Sequence, residues 1–411
     1  MTKIRLLVLL ATFLFVGSIG TLVFLYARGF RFNQKTGKVS QNGILVIKSH
    51  PDGAQVFING ELKTGTNATV PLAPNTYDVS VRKDGYITWE KRLLIEKEVV
   101  IEATAHLFKM APSLSAVTFS GALNPVSSPD KTKIAYVALP IAENRGGEGL
   151  WLIETINLPL GFARDPKRLT DGDLSQSSII WSPNSKEILL TTTKGTYLLD
   201  AATFTPQSQR INVSTQREEI LKTWQVNTEK RLQAQIKKLP EELKDTLNRK
   251  ARAVVFSPDE DMVLYTASGS ANIPENLIKP IPGSSSQKQE RSIEDGRTYV
   301  YDIKEDRNFY ITTGDILLDG WLNYQEAINQ LSDVNTATRS LAWYPSSRHL
   351  ILAEETNITI MDYDATNKQT VYSGSYVAPH IYPTLSMDRL LILTNLGADS
   401  ASPNLYSLGI K

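Results

Sequence analysis

Trp181-Ser182-Pro183-Asn184-Ser185-Lys186-Glu187-Ile188-Leu189-Leu190 and Phe256-Ser257-Pro258-Asp259-Glu260-Asp261-Met262-Val263-Leu264 are two copies of one phrase, a Ser-Pro turn closed by an apolar strand. A second strand ending in an acid follows each, Thr196-Tyr197-Leu198-Leu199-Asp200 and Thr298-Tyr299-Val300-Tyr301-Asp302. Pro183 precedes Asp200 by 17 positions, and in a third copy Pro345 precedes Asp362, the end of Ile358-Thr359-Ile360-Met361-Asp362, by the same 17. In the copy from Pro258 to Asp302 a Gly/Ser/Pro/Gln-rich insert, 268–296, lengthens the middle and reads as a surface loop. Weaker copies run from Ser128-Pro129-Asp130 to Trp151-Leu152-Ile153-Glu154 and from Ser386-Met387-Asp388 to Leu405-Tyr406-Ser407, so five units are visible. Self-similarity of this kind marks one repeated supersecondary unit.

Each unit alternates apolar and polar residues over short β-branched and aromatic runs, which predicts antiparallel strands. One hairpin cannot bury its apolar face alone, so the units must stack. The phrase resembles the repeat of WD40-type and TolB-like β-propellers, whose blades are four-stranded sheets around a channel. The resemblance spans roughly 112–411 and implies five to seven blades; it specifies architecture and says little about chemistry.

A chain of 411 residues has room for two or three domains. Its 44 basic and 43 acidic residues leave a formal charge of +1, so no global field favours nucleic acid, and no nucleic-acid partner is expected. Cysteine is absent, which excludes disulfides, thiolate metal sites and a cysteine nucleophile.

The N-terminus carries a different signal. Behind Lys3 and Arg5 the uncharged run Leu6–Tyr26, 21 residues long, matches the apolar thickness of a bilayer. No small-residue cleavage site is evident, so 6–26 reads as a signal anchor after a cytoplasmic segment, 1–5. Arg28, Arg31, Lys35 and Lys38 follow it, a charge bias that slightly favours a cytoplasmic body. A lone N-terminal anchor before a long polar domain usually exports that domain, and an external body is the expectation.

After a linker, 27–41, residues 42–108 read as a compact β-sandwich. Pro51-Asp52-Gly53 is turn chemistry, and Asn59-Gly60 after Val56-Phe57-Ile58 is the preferred dipeptide of a tight hairpin. The segment resembles the PEGA domain: Ser49, Pro51, Gly53, Ala54, Asn59, Gly60, Pro71, Gly85 and Tyr86 fall where that pattern expects them. Asp52 stands in place of the glutamate of the name, and Gly65-Thr66-Asn67-Ala68 in place of Gly-x-Thr-Pro. The resemblance implies a bacterial surface or envelope protein, and a domain without catalytic residues.

One segment breaks the all-β pattern. From Thr215 to Ala251, Ile220, Leu221, Trp224, Leu232, Ile236, Leu239, Leu243 and Leu247 recur at helical spacing. Pro240 at a first helical position, followed by Glu241-Glu242, starts a second helix, so 215–251 is a helical hairpin inserted between blades. It is expected to lay its apolar stripe on the outside of a blade, or else to project as a docking arm. With Trp224, Lys238-Leu239-Pro240 and Tyr299-Val300-Tyr301-Asp302, the chain resembles anchored PEGA-plus-propeller proteins of small-genome bacteria over nearly its whole length.

Catalytic signatures are missing: no Gly-x-Ser-x-Gly elbow, phosphate loop, His-Glu-x-x-His pair or dinucleotide fingerprint occurs. Ser128-Pro129-Asp130-Lys131 and Ser80-Val81-Arg82-Lys83 match Ser-x-x-Lys, but one is a blade turn and the other a strand. Asp171-Gly172-Asp173 lacks the further ligands of a calcium loop. His50, His106, His349 and His380 lie far apart, which argues against a composite metal site. Asp200, Asp302 and Asp362 are expected to end strands by holding turn amides. Of the aromatics Trp321, Tyr324 and Trp343, the last occupies the repeat position of Trp181 and Phe256 and is assigned to the core.

These readings give a mainly β protein: transmembrane helix, PEGA-like sandwich, and five- to seven-bladed propeller with an inserted helical hairpin. No catalytic, cofactor-binding or metal-binding residue and no cofactor are expected. The function expected is non-catalytic binding or scaffolding at the cell surface, directed at a protein or an envelope polysaccharide, with membrane contact through the helix. The alternatives are a hydrolase or lyase using carboxylates in the propeller channel, and a ligand sensor. Two or three buried acids with a basic partner on the axis would favour catalysis, and an apolar plug would favour binding.

Overall fold

The computed structural model describes residues 3–27, 30–33, 38–140, 147–156, 165–279, 287–320, 324, 338–398 and 401–411. Helix α1, Lys3–Ala27, has 25 residues, which at about 1.5 Å each exceeds the roughly 30 Å of a bilayer core. Its apolar side chains are exposed, with Phe13 at 78% and Phe15 at 67%. Among the described residues it is the one helix long and apolar enough to cross a membrane. Within the range read as a linker, Phe30–Asn33 pairs antiparallel with Lys38–Gln41.

Two compact units meet in sequence at Leu107 and Phe108. The first contains a sandwich of two sheets. One has the order Ala68–Leu72, Gly43–His50, Val100–His106; the other has Glu61–Gly65, Gln55–Ile58, Asn75–Arg82, Trp89–Ile95. Alternate residues of Gly43–His50 point inward, so Leu45 and Ile47 are fully buried against Val56, Val81, Trp89 and Ala105. Asn59 and Gly60 both take positive φ, 50° and 84°, as the two-residue hairpin turn requires. The departure at Asn67 is compensated locally: its side chain accepts from the Ser49 N–H at 3.3 Å and donates to the Asp52 carboxylate at 3.0 Å.

Among the described residues the second unit contains five blades in sequence order, each a sheet whose consecutive blade strands run antiparallel. Blade 1 runs Leu123–Ser127, Lys133–Ala138, Gly149–Glu154, Lys167–Asp171; blade 2 has three strands, Ser178–Trp181, Glu187–Thr192, Gly195–Asp200. Blade 3 is Ala251–Phe256, Met262–Ala267, Arg297–Asp302, Arg307–Thr313, and blade 4 Ser340–Trp343, His349–Ala353, Asn357–Asp362, Gln369–Ser373. Blade 5 takes Ile381–Pro383, Arg389–Thr394 and Asn404–Gly409 from the end of the chain and its outer strand, Ser113–Ala116, from the beginning. That pairing ties the first residues of the propeller to the last. Phe108, read from sequence as the end of the sandwich, packs in this unit with its ring 5.9 Å from Tyr344.

The repeated phrase is the turn between the first and second strands of every blade. Lys131, Ser185, Glu260, Ser347 and Met387 occupy the same position in the five copies and all adopt φ between 56° and 61°. Each donates its N–H to the carbonyl three residues earlier, as in Ser185 to Ser182 at 3.0 Å and Glu260 to Ser257 at 2.9 Å. The turn serine is buried because its hydroxyl closes both ends. Ser257 Oγ donates to Asp259 at 2.6 Å and accepts from the Met262 N–H at 3.0 Å, and Ser128 and Ser182 repeat the arrangement.

Burial works against ionisation of Asp259, but donors on Ser257, Asp261 and Ser347 and the Arg348 charge hold its carboxyl below the ordinary range. A depressed folded-state value stabilises the fold above the unfolded pKa of about 3.9, and that contribution is lost as pH falls through the folded value. Ser257→Ala is therefore expected to destabilise by about 1–3 kcal/mol near neutral pH, with a smaller deficit near pH 3. Urea midpoints at the two pH values check this; an equal deficit at both would detach the turn serine from Asp259.

Aromatic side chains join neighbouring blades. Trp181 Nε1 donates to the Val126 carbonyl of blade 1 at 3.1 Å, Trp343 Nε1 to Val255 of blade 3 at 3.2 Å, and the Tyr382 hydroxyl of blade 5 to Pro125 of blade 1. Apolar clusters fill the seams between blades 1 and 2, 3 and 4, 4 and 5, and 5 and 1. Among the described residues no sheet-to-sheet cluster joins blades 2 and 3. The helical insertion lies there instead: α2, Arg217–Ile236, buries Leu221 and Trp224 against Leu189, Ile180 and Leu198 of blade 2. Helix α3, Glu241–Lys250, buries Leu243 and Leu247 against Val254, Val263 and Tyr265 of blade 3. The pair thus takes the place of a sixth sheet, correcting the expectation that it lies on the outside of one blade or projects as an arm. Pro240 is the residue before the first helical position rather than that position itself. The insert 268–296 also does more than loop over the surface. Ala271–Asn272 pairs with Ser292–Ile293, and Ile273 and Ile293 are buried beside α3.

Candidate functional site: an inner-edge strand and the blade loops

The first strands of the blades line the axis, because Trp181, Trp343 and Tyr382 each reach the first strand of the preceding or ring-closing neighbour. A short extra strand occupies that space. Leu317–Leu318 runs parallel beside Ser340–Trp343, with the Leu317 N–H on the Arg339 carbonyl at 3.1 Å and the Asp319 N–H on Leu341 at 2.9 Å. Ile316 and Leu318 are 8% and 2% exposed and pack with Val255, Met262 and Trp343. Gly320 follows at φ +97°, where an added Cβ would stand 3.3 Å from a Val255 methyl. Tyr324 then enters the cluster of blade 2 and α2, its hydroxyl on the Trp181 carbonyl at 2.8 Å and its N–H on Gln225 Oε1 at 2.9 Å.

One ion pair and one tyrosine–histidine dyad lie among the described residues near the first strands. Asp319 meets Lys131 of the blade 1 turn at 2.6 Å, the two side chains 28% and 25% exposed. Burial, with Asp319 adding to it, pushes the Tyr382 hydroxyl far above its ordinary pKa, so it stays protonated and donates to Pro125. His380 Nδ1 is 2.8 Å from that hydroxyl. Burial lowers the His380 pKa, so the ring is neutral, and because the tyrosine proton is committed to Pro125 we assign the hydrogen of this contact to Nδ1.

The residues singled out in the sequence do not converge. Asp200 accepts from the Ala202 N–H at 2.7 Å, Asp302 from Lys304 and Glu305 at 2.9 Å each, and Asp362 from Asn367 Nδ2 at 3.0 Å, all at turns after third strands. Lys131 turns to Asp319 rather than to Ser128, and Lys83 donates to the Asp52 carbonyl at 2.8 Å, so neither Ser-x-x-Lys match forms a pair. Asp171 and Asp173 hold the amides of Gln207 and Ser175. Tyr324 and Trp343 are core residues at 3% and 8% exposure, while Trp321 lies outside the described residues.

Sequence reading did not find one suggestive constellation. Ser346 Oγ lies 2.8 Å from His349 Nδ1, and His349 Nε2 lies 3.4 Å from Asp362. The order Ser-His-Asp has the outline of a hydrolytic triad, yet His349 and Asp362 are buried, and the rings of Phe108 and Tyr344 meet the imidazole edge-on at 5.7 and 6.1 Å. Among the described residues no group of three or more His, Asp or Glu is placed to hold a metal ion.

The two faces of the ring differ. One carries the five near-identical turns. From the other leave the connections between second and third strands, which differ widely in sequence length: 139–148, 193–194, 268–296, 354–356 and 395–403. Unequal loops on a rigid repeat scaffold are the usual carriers of binding.

Five blades, the last completed by a strand from the start of the propeller unit, define a β-propeller in a chain that also carries an accessory sandwich and an apolar helix. The accessory unit is a PEGA domain: residues 42–110 match that family model. No curated protein matches the chain in sequence. Among solved structures it is similar to a TolB from Agrobacterium tumefaciens, 10% identical over 69% of this chain and 77% of that one, with a TM-score of 0.23. The WD40 repeats of RRP9 match at 9% identity over 74% and 99%, TM-score 0.30. A gluconolactonase from Xanthomonas campestris matches at 10% identity over 73% and 90%, TM-score 0.27.

Proposed function

We propose that this chain is a membrane-tethered, non-catalytic binding or scaffold protein, anchored by α1, with the PEGA domain and propeller on the outer side of the membrane. The propeller presents its loop-bearing rim to a protein or an envelope polysaccharide. The observation that carries this reading is the apolar strand on the inner edge of blade 4: Ile316 and Leu318 are buried there against blades 3 and 4, and the adjoining carboxylate, Asp319, is paired with Lys131. Capture of a partner then depends on a rigid surface and not on a reacting centre.

The absence of cysteine makes both halves of the proposal testable with single introduced thiols. Thr193 is exposed on the rim of blade 2, and Asn184 sits in the turn on its opposite face. In intact cells a membrane-impermeant maleimide is expected to label Thr193→Cys; labelling only after lysis would place the body inside. A thiol-tethered photocrosslinker is expected to capture a partner from Thr193→Cys and from Leu396→Cys, and not from Asn184→Cys. Capture confined to Asn184→Cys would assign binding to the other face. Turnover of an envelope polysaccharide by the purified chain, abolished in Asp319→Asn, would replace the binding reading with a carboxylate enzyme.

A further inference from the structure

The four histidines are scattered in sequence, but the fold brings two of them together. Gly43–His50 pairs in parallel with Val100–His106, a register that sets His50 directly opposite His106 on the last rung of the sheet. The two rings stand 5.2 Å apart, centre to centre, inclined at 42°. His50 is exposed to solvent and His106 is 8% exposed, so the pair has an open side and a buried side. Nothing in the binding reading of the propeller uses either residue.

We propose that His50 and His106 form a two-imidazole site for a divalent transition metal of the kind that imidazole favours: zinc, nickel or copper. A metal about 2.0–2.1 Å from one nitrogen of each ring, with the two bonds at roughly a tetrahedral angle, places the ring centres about 5 Å apart, which is the spacing observed. Both ligands sit on strands fixed by the sandwich core, since Ile47 and Ala105 on the same two strands are fully buried. Positions held by paired strands are more exact than positions on loops, so little reorganisation opposes binding. With two protein ligands, water completes the coordination, and the ion exchanges readily through the His50 side. Bound metal would bridge the first and last strands of the sandwich, one residue before Leu107, where the chain passes to the propeller.

The test uses the detergent-solubilised full chain with any histidine tag removed. Calorimetric titration with zinc and with nickel is expected to give one saturable site in the micromolar range. The melting temperature is expected to rise by several degrees with saturating metal and to return on adding EDTA, because the ion binds the folded state. His50→Ala, at an exposed position, is expected to melt like the parent without metal and to bind at least tenfold more weakly; His106→Gln is expected to show the same loss if it folds. No saturable binding by the parent would reduce the pair to a ring contact. Binding that survives unchanged in His50→Ala would place the metal elsewhere and overturn the assignment.

Discussion

Trp224→Ala is expected to destabilise the propeller by about 3–5 kcal/mol, the range for deleting a buried tryptophan. The side chain is 7% exposed and packs against Leu189, Leu221 and Tyr324, whose ring it meets nearly edge-on at 5.7 Å. Such aromatic contacts add about 0.5–1.5 kcal/mol to the burial term. More than packing is lost, because Tyr324 also holds the end of the axial segment through Trp181 and Gln225. Hydrogen exchange should quicken first in Glu187–Thr192 and Gly195–Asp200, the blade 2 strands that face α2, while blade 5 stays protected. Val226→Ala, on the same helix but 45% exposed, is expected to stay within about 0.5 kcal/mol of the parent. If Trp224→Ala were as mild as Val226→Ala in denaturant unfolding, the helix pair would be decoration rather than a sixth wall of the ring.

Arg291→Met is expected to have a comparable effect for an electrostatic reason. Its guanidinium lies 3.1 Å from Asp306, with side-chain exposures of 9% and 4%. The same guanidinium donates to the Pro274 carbonyl and, through Nε, to Gln289 at 3.0 Å, so it pins both ends of the insert 268–296 to blade 3. Asp306 accepts in addition from the Tyr301 hydroxyl and from the Leu277 N–H at 3.0 Å. Removing the cation strands a buried carboxylate, a change that costs about 3–5 kcal/mol. The double variant Arg291→Met, Asp306→Asn should recover part of that loss, because the uncompensated charge is gone while the tyrosine and amide donors keep an acceptor. Urea unfolding of the three variants decides it. A double variant no more stable than Arg291→Met would mean that the lost packing of the arginine, not the stranded charge, dominates.

The turns were legible because each is local. Ser182, Pro183 and Ser185 act within five residues of one another, and the chemistry of a tight turn leaves few sequences that satisfy it. The buried aromatics at Trp181 and Trp343 were legible for the same reason, as fixed positions in a repeat. The axial strand Leu317–Leu318 was not, because two apolar residues carry no periodicity and their partner strand begins 22 residues later, at Ser340. The adjacency of His50 and His106 escaped for a similar reason: they meet only through parallel pairing of strands at opposite ends of the sandwich.

The apolar span of α1, the sandwich with its Asn59-Gly60 hairpin, the repeated blades and the two inserted helices were determined by sequence alone, since each rests on spacing within a window shorter than one blade. The tertiary structure decided what those parts enclose: five sheets with a helix pair as the sixth wall, a short strand on the inner edge of blade 4 tied to blade 1 through Asp319 and Lys131, and two imidazoles distant in sequence brought within 5.2 Å of each other. These depend on which strands stack and in what register, and stacking is set by the summed burial of surfaces far apart in the chain, which no local pattern records.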